Sequence, residues 1–249
     1  MAIYPDLAGK TVVVTGGSRG IGAQTARAFA EQGARVAVIG RDQAALDEVA
    51  STLPAGLALR ADVTDFAQID QAMVRIEQEL GPVEVLAAFA GGQGAPAPSW
   101  QLDPARWREV LESDLTSTFL TVRAFLPGMV DRGRGAIVTM SSAAGRQPSR
   151  ANVAYAAANA GVVMLTRQLA DEVGPHGVRV NCIAPSSIRT ERVERMMPPE
   201  MAERIAEAHP LRRMGTPDDV ASAAVFLASD ASGWITGVTV DVAGGKITN

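Results

Sequence analysis

Two short stretches hold side chains whose types and spacing could do chemistry. In YAAANAG (155–161), Tyr155 and Asn159 stand one helical turn apart among alanines, so a titratable phenol and an amide share one helix face. The pair is either reactive or packing, since small neighbours also let two helices press together with the Tyr hydroxyl bonded locally. In TGGSRGIG (15–22), Gly16, Gly20 and Gly22 lie between an apolar run and a segment of helical spacing. Glycines at such a turn let the backbone approach a pyrophosphate, and the following helix offers free N–H groups and the positive end of its dipole. That chemistry is the binding of a dinucleotide.

The next apolar run ends GRDQAAL, with Gly40 and Arg41 where an enzyme preferring NAD usually offers a carboxylate to the ribose. Arg19 lies in the glycine turn itself. Two guanidiniums converging there suit a 2′-phosphate, which makes NADP(H) the expected cofactor. Asp42 can instead bond a ribose hydroxyl or cap the following helix, which keeps NAD(H) possible. Asp62 and Val63, ending the third run, are placed to meet the adenine.

The elements that must position these groups follow from pattern. KTVVVTG (10–16), ARVAVIG (34–40), GLALRADV (56–63), VEVLAAFAG (83–91), GAIVTMSS (135–142), VRVNCIAP (178–185) and VTVDVAGG (238–245) read as seven strands, with helical spacing between them. Their lack of polar alternation implies burial on both faces. Parallel neighbours joined by right-handed helical crossovers then give an α/β fold, a Rossmann-type doubly wound parallel sheet of seven strands flanked by helices. No Pro- or Ser-rich linker divides residues 1–249, so one domain is expected. Two insertions follow strand ends, GGQGAPAPSWQLDP (91–104) and a longer one at 186–217. Both would stand over the crevice beyond the strands' carboxyl ends, the second as a lid around 186–216.

Composition bounds the partners. The net charge of -4 comes from scattered residues, which gives no footprint for nucleic acid or anionic lipid and points to a small molecule. The single Cys182 lies in an apolar run, so no disulfide is expected, and no metal site either. MAIYPDLAGK has neither a basic start nor an apolar segment, and no run has membrane-spanning length, so a cytoplasmic location is expected.

The TGxxxGIG turn, Ser141-Ser142 with Tyr155 thirteen residues after Ser142, ADVTD (61–65), VRVNCIAP, PLRRMGTPDDVA and WITGVTVDVAGG run the length of the chain. Together they resemble the short-chain dehydrogenase/reductase family, and in particular its 3-oxoacyl-ACP reductase-like members. The resemblance implies hydride transfer between nicotinamide C4 and a carbonyl or carbinol carbon. By it Tyr155 is the acid or base on the substrate oxygen, Ser142 bonds that oxygen, and Ile188 and Thr190 hold the carboxamide. It also assigns Gly16, Ser18, Arg19, Gly20, Ile21, Arg41, Asp62, Val63, Ala90, Gly91, Tyr155, Asn159 and Pro185 to the cofactor. A homotetramer or homodimer, formed through helices at 104–131 and 152–174, is implied as well.

The chain departs from that family in its relay. Asn159 stands where the family has its catalytic Lys, and Asp114, in VLESDLTSTF, where Asn is common; NNAG is here AFAG (88–91), and Pro-Gly is Pro185-Ser186. Asn supplies no positive charge to favour the phenolate, and an inward Asp114 would disfavour it further. Alcohol oxidation, which needs the base, should suffer more than carbonyl reduction, which uses the neutral phenol. Three readings follow: an NADP(H)-dependent ketone reductase with a modified relay; a non-catalytic dinucleotide-binding protein; or a deliberately altered or non-redox enzyme. Elsewhere, His176 and His209 read as solvated turn residues, Arg146 and Arg150 as contacts for an anionic substrate or as solvated surface, and Trp100 and Trp107 as pocket wall or packing. The Met and Pro of 196–201 suggest an adaptable apolar pocket.

Overall fold

All seven expected runs form strands: β1 (Thr11–Thr15), β2 (Arg35–Gly40), β3 (Gly56–Arg60), β4 (Val83–Ala88), β5 (Gly135–Met140), β6 (Val178–Pro185) and β7 (Thr239–Val242). They make one parallel sheet in the order β3-β2-β1-β4-β5-β6-β7. The coordinates are a computed structural model, and the structure describes residues 1–92 and 94–247. Gln93, in the first insertion, and Thr248 and Asn249, at the end of the expected 1–249 domain, lie outside the described residues.

β1 shows why the strands lack polar alternation. Val12 and Val14 point into one core with Phe29 and Val220, while Val13 points into the other with Ile69, Ile76 and Phe125. Helices α1 (Gly20–Glu31), α2 (Gln43–Ser51) and α9 (Pro217–Ala228) cover the first face. On the second lie α3 (Phe66–Leu80), α5 (Ser117–Asp131) and α6 (Val153–Val173). Burial of both faces needs apolar residues at every position, and the crossover helices follow from the parallel strands.

Strand order reverses between β1 and β4, and such a switch point opens a crevice beyond the strands' carboxyl ends. Here the Thr15 hydroxyl accepts hydrogen bonds from Phe89 N (3.0 Å) and Ala90 N (3.3 Å), tying the exit of β4 to that of β1. The longer insertion contains α7 (Glu191–Met196) and α8 (Pro199–Glu207). Its two ends are stitched together, since Gly215 N donates to Ser187 O (3.0 Å) and Arg189 N to Gly215 O (2.8 Å). A short helix α4 (Pro104–Leu111) joins α5 through a π-helical turn at Glu112–Thr116. Among the described residues no helix is long and apolar enough to cross a membrane.

Candidate active site

The glycine turn has the shape its sequence requires. Gly16 adopts φ 68°, and a Cβ there would lie 2.9 Å from Phe89 O, so only glycine lets the turn sit against β4. Gly20, the first residue of α1, has φ 58°, and a Cβ would press within 3.3 Å of Thr190. The turn is thus bare backbone at the start of a 12-residue helix, a cradle that any Cβ would begin to fill and that suits a pyrophosphate. The residues present therefore fit a dinucleotide. At the far end of the groove Arg19 pairs with Asp42 (Nη2 to Oδ2, 2.5 Å), both largely exposed. Asp42 also caps α2, accepting from Ala45 N (3.2 Å). Both roles open to Asp42 at the level of sequence remain compatible with this geometry. Asp62 accepts from the Thr64 backbone and hydroxyl, which, with the Arg41 charge, holds its carboxyl below the usual range against the opposing effect of burial.

At the other end, Ser142 and Tyr155 face one cleft of about 390 Å³ with Ile21, Ala90, Gly91 and Asn159. Pro185, Ile188 and Thr190 line it from the β6 side. The Asn152 side chain caps α6 by accepting from Tyr155 N (2.9 Å) and donates to Ala95 O (2.9 Å). A Cβ on Gly94 would come within 3.1 Å of the Tyr155 ring, so the first insertion lies flat against it. Ser142 Oγ accepts from Ala144 N (3.2 Å), which directs its own hydrogen to the phenol or to a ligand oxygen. Burial pushes the half-buried Tyr155 phenol above its ordinary value. The Asp114 charge adds to that rise, and hydrogen bonding by Ser142 and Asn159 opposes it.

Asn159 is buried, and its Nδ2 donates to Tyr155 O, 2.9 Å away and one turn back on its own helix. The amide is therefore occupied in part by backbone. Asp114 is buried within the π-helical turn, and its carboxylate accepts from Gly92 N (3.1 Å) and the Ser113 hydroxyl. Such a turn re-aims one side chain out of helical register, and it is often found at functional sites. Sequence spacing named Asp114 but carried no sign of the Gly92 contact or the π turn. Met140 and Met214, which line the cleft beside Val193 and Met197, were missed as well.

Several expectations need correction. His209 is 2% exposed rather than solvated. Its Nδ1 donates to Ile205 O (2.6 Å) and its Nε2 pairs with the Ser186 hydroxyl (3.0 Å), so it pins the end of α8 to the exit of β6. His176 is exposed, as expected. Arg146 does not line the cleft and is largely withdrawn from solvent: it forms a two-pronged pair with Asp241 on β7 at 3.0 and 3.1 Å, while Arg150 is exposed. Trp100 is exposed and Trp107 half-buried, and neither lines the cleft. Of the 196–201 methionines, Met197 reaches the cleft while Met196 and Met201 are exposed.

With this geometry in view, residues 16–246 match the family model described as Enoyl-(Acyl carrier protein) reductase. The chain belongs to the short-chain dehydrogenase/reductase family. Among curated members of the family it is 41% identical over 240 residues to cis-4-hydroxycyclohexanecarboxylate dehydrogenase of Sinomonas cyclohexanicum, covering 95% of this chain and 96% of that one. It is 38% identical over 240 residues to acetoacetyl-CoA reductase of Rhizobium meliloti (strain 1021), covering 95% and 98%. Among solved short-chain dehydrogenase/reductase structures, a 3-oxoacyl-[acyl-carrier protein] reductase with bound NAD from Brucella melitensis superposes with a TM-score of 0.90 at 34% identity, covering 99% of this chain and 94% of that one. The seven-stranded parallel sheet is the shared frame.

Proposed function

We propose that this chain is an NADPH-dependent reductase that converts a ketone to an alcohol, with Tyr155 as general acid and Ser142 bonding the substrate oxygen. The observation that supports the reading is that these two hydroxyls face one cleft together with Ile188 and Thr190, the residues that the family resemblance assigns to the carboxamide. Bound along the groove from Arg19 and Arg41 to Thr190, a reduced nicotinamide would supply the hydride. The substrate oxygen accepts hydrogen bonds from Ser142 and Tyr155, and the phenol proton passes to it as negative charge develops. A phenol whose pKa is raised is fully protonated at neutral pH, so the acid is present, although a weaker acid transfers its proton less readily. The reverse reaction needs the phenolate, whose population falls about tenfold for each unit by which the pKa rises. Reduction is therefore the favoured direction.

Two arginines in the sequence, Arg19 in the glycine turn and Arg41 after β2, support NADPH over NADH, tempered by the Arg19–Asp42 ion pair. The same reading takes 1–249 as one cofactor-binding and catalytic domain, with 186–216 as a lid. It also takes the chain to be cytoplasmic and paired into dimers or tetramers through the faces of α5 and α6, where Phe119 and Met164 are exposed. A second reading, a dinucleotide-binding protein without turnover, draws on the Asn159 amide turned back onto Tyr155 O.

NADPH oxidation against ketones, diketones and quinones, with native protein and Asn159→Lys side by side, separates the two. Slow native turnover that rises at least tenfold in the variant supports the reductase with a charge-limited relay. An unchanged rate overturns the charge explanation, and NADPH binding without turnover in either protein favours the second reading.

A further inference from the structure

The cleft is unusual in the sign of its charge. Among the described residues that line it, none is Lys, Arg or His; the ionisable groups are the Tyr155 phenol and the Asp114 carboxylate. Each Asp114 oxygen has a partner, Gly92 N on one and the Ser113 hydroxyl on the other, which fixes the group in place. Held there, the carboxylate is part of the cleft's lining. Met140, Ile188, Val193, Met197 and Met214 supply apolar walls, and in such low-dielectric surroundings a fixed charge acts strongly on a neighbour. A ketone has the hydroxyls of Ser142 and Tyr155 to bond its oxygen but gains nothing from the Asp114 charge, because that oxygen becomes negative during reduction with no cation at position 159.

We infer that the cleft also reduces cationic C=N substrates, apolar iminium ions whose positive charge is held by Asp114. This rests on the reading of the chain as a hydride-transferring reductase. An iminium carbon is already electrophilic, so the step needs no proton from Tyr155. The carbon takes up a hydride with its electron pair from a reduced nicotinamide, forming the new C–H bond. The C=N π pair becomes the nitrogen lone pair, the substrate is reduced to a neutral amine, and the nicotinamide is oxidised. Water then protonates the amine. The same two replacements that handicap a ketone, Asn159 and Asp114, match the charge of this substrate, whereas a Lys at 159 would repel it.

The test compares N-methyl-3,4-dihydroisoquinolinium, permanently charged, with the similarly shaped neutral ketone 1-tetralone, using NADPH and the native protein, Asp114→Asn and Asn159→Lys. Native turnover should favour the iminium. Both variants should lower the ratio of iminium to ketone turnover at least tenfold, by slowing the first and speeding the second. A variant that merely loosens the structure would slow both. Calorimetry without cofactor gives an independent reading: 1,2,3,4-tetrahydroisoquinolinium should bind at least tenfold more tightly than 1-tetralol, and Asp114→Asn should abolish the difference. Ketone turnover without iminium turnover, or equal binding of the two saturated compounds, overturns the inference and leaves the reductase reading standing. If neither substrate reacts with native protein or Asn159→Lys, both fall.

Discussion

The glycine turn and the Ser142–Tyr155 pair meet at one cleft and obey different rules. At the turn every local feature agrees with the binding of a dinucleotide: left-handed glycines, a Phe89 carbonyl that leaves no room for a Cβ on Gly16, and a helix start behind them. Around Ser142 and Tyr155 the balance of charge is negative, with Asn159 uncharged and Asp114 buried near the phenol. Backbone shape governs the first region and electrostatics the second. Binding and turnover should therefore come apart under mutation.

The largest separation should come from Gly16→Val. A β-branched residue at φ 68°, with its Cβ 2.9 Å from Phe89 O, cannot hold the turn. NADPH affinity measured by fluorescence titration should fall about a hundredfold, a change of about 2.7 kcal/mol. Affinity within a few-fold of native would show that the turn does not carry the cofactor. A smaller effect sharpens the contrast at the groove's far end. Arg41→Ala should lower the ratio of NADPH to NADH affinity about tenfold, as expected for losing a charge-assisted bond to a phosphate. Asp42→Ala, by releasing Arg19, should raise that ratio a few-fold, in line with the modest worth of an exposed ion pair. Equal ratios in all three proteins would remove the basis for an NADPH preference.

How far the sequence could be read follows the same division. Apolar runs without polar alternation can be satisfied only by burial on both faces, so the strands and their parallel, helix-joined arrangement were legible from Val12, Val13 and Val14 onward, whereas the strand order was not. The glycine turn was legible because its mechanism demands a fixed residue type at a fixed place. Asp114 was recognisable as a departure, but its orientation depends on a π-helical turn that leaves no residue signature. His209 was misread because EAHPL looks like a surface turn, whereas the buried ring finds its partner in Ser186, 23 positions earlier in the chain. The two-pronged pair of Arg146 with Asp241, 95 positions apart, escaped for the same reason. Long-range polar partners have no local period to betray them.

The role proposed for Tyr155, a proton donor whose phenolate is disfavoured, is open to test by the pH profile of NADP-dependent alcohol oxidation, measured for native protein and Asn159→Lys with the alcohol of whichever ketone turns over. A phenol held above its ordinary value of about 10 binds its proton throughout the neutral range. The native rate should therefore climb about tenfold per pH unit without levelling below pH 10, and the Lys variant should level at lower pH. A native profile already flat at neutral pH would mean that the phenolate forms readily despite Asn159 and Asp114, and would contradict a proton-donor role set by a raised pKa.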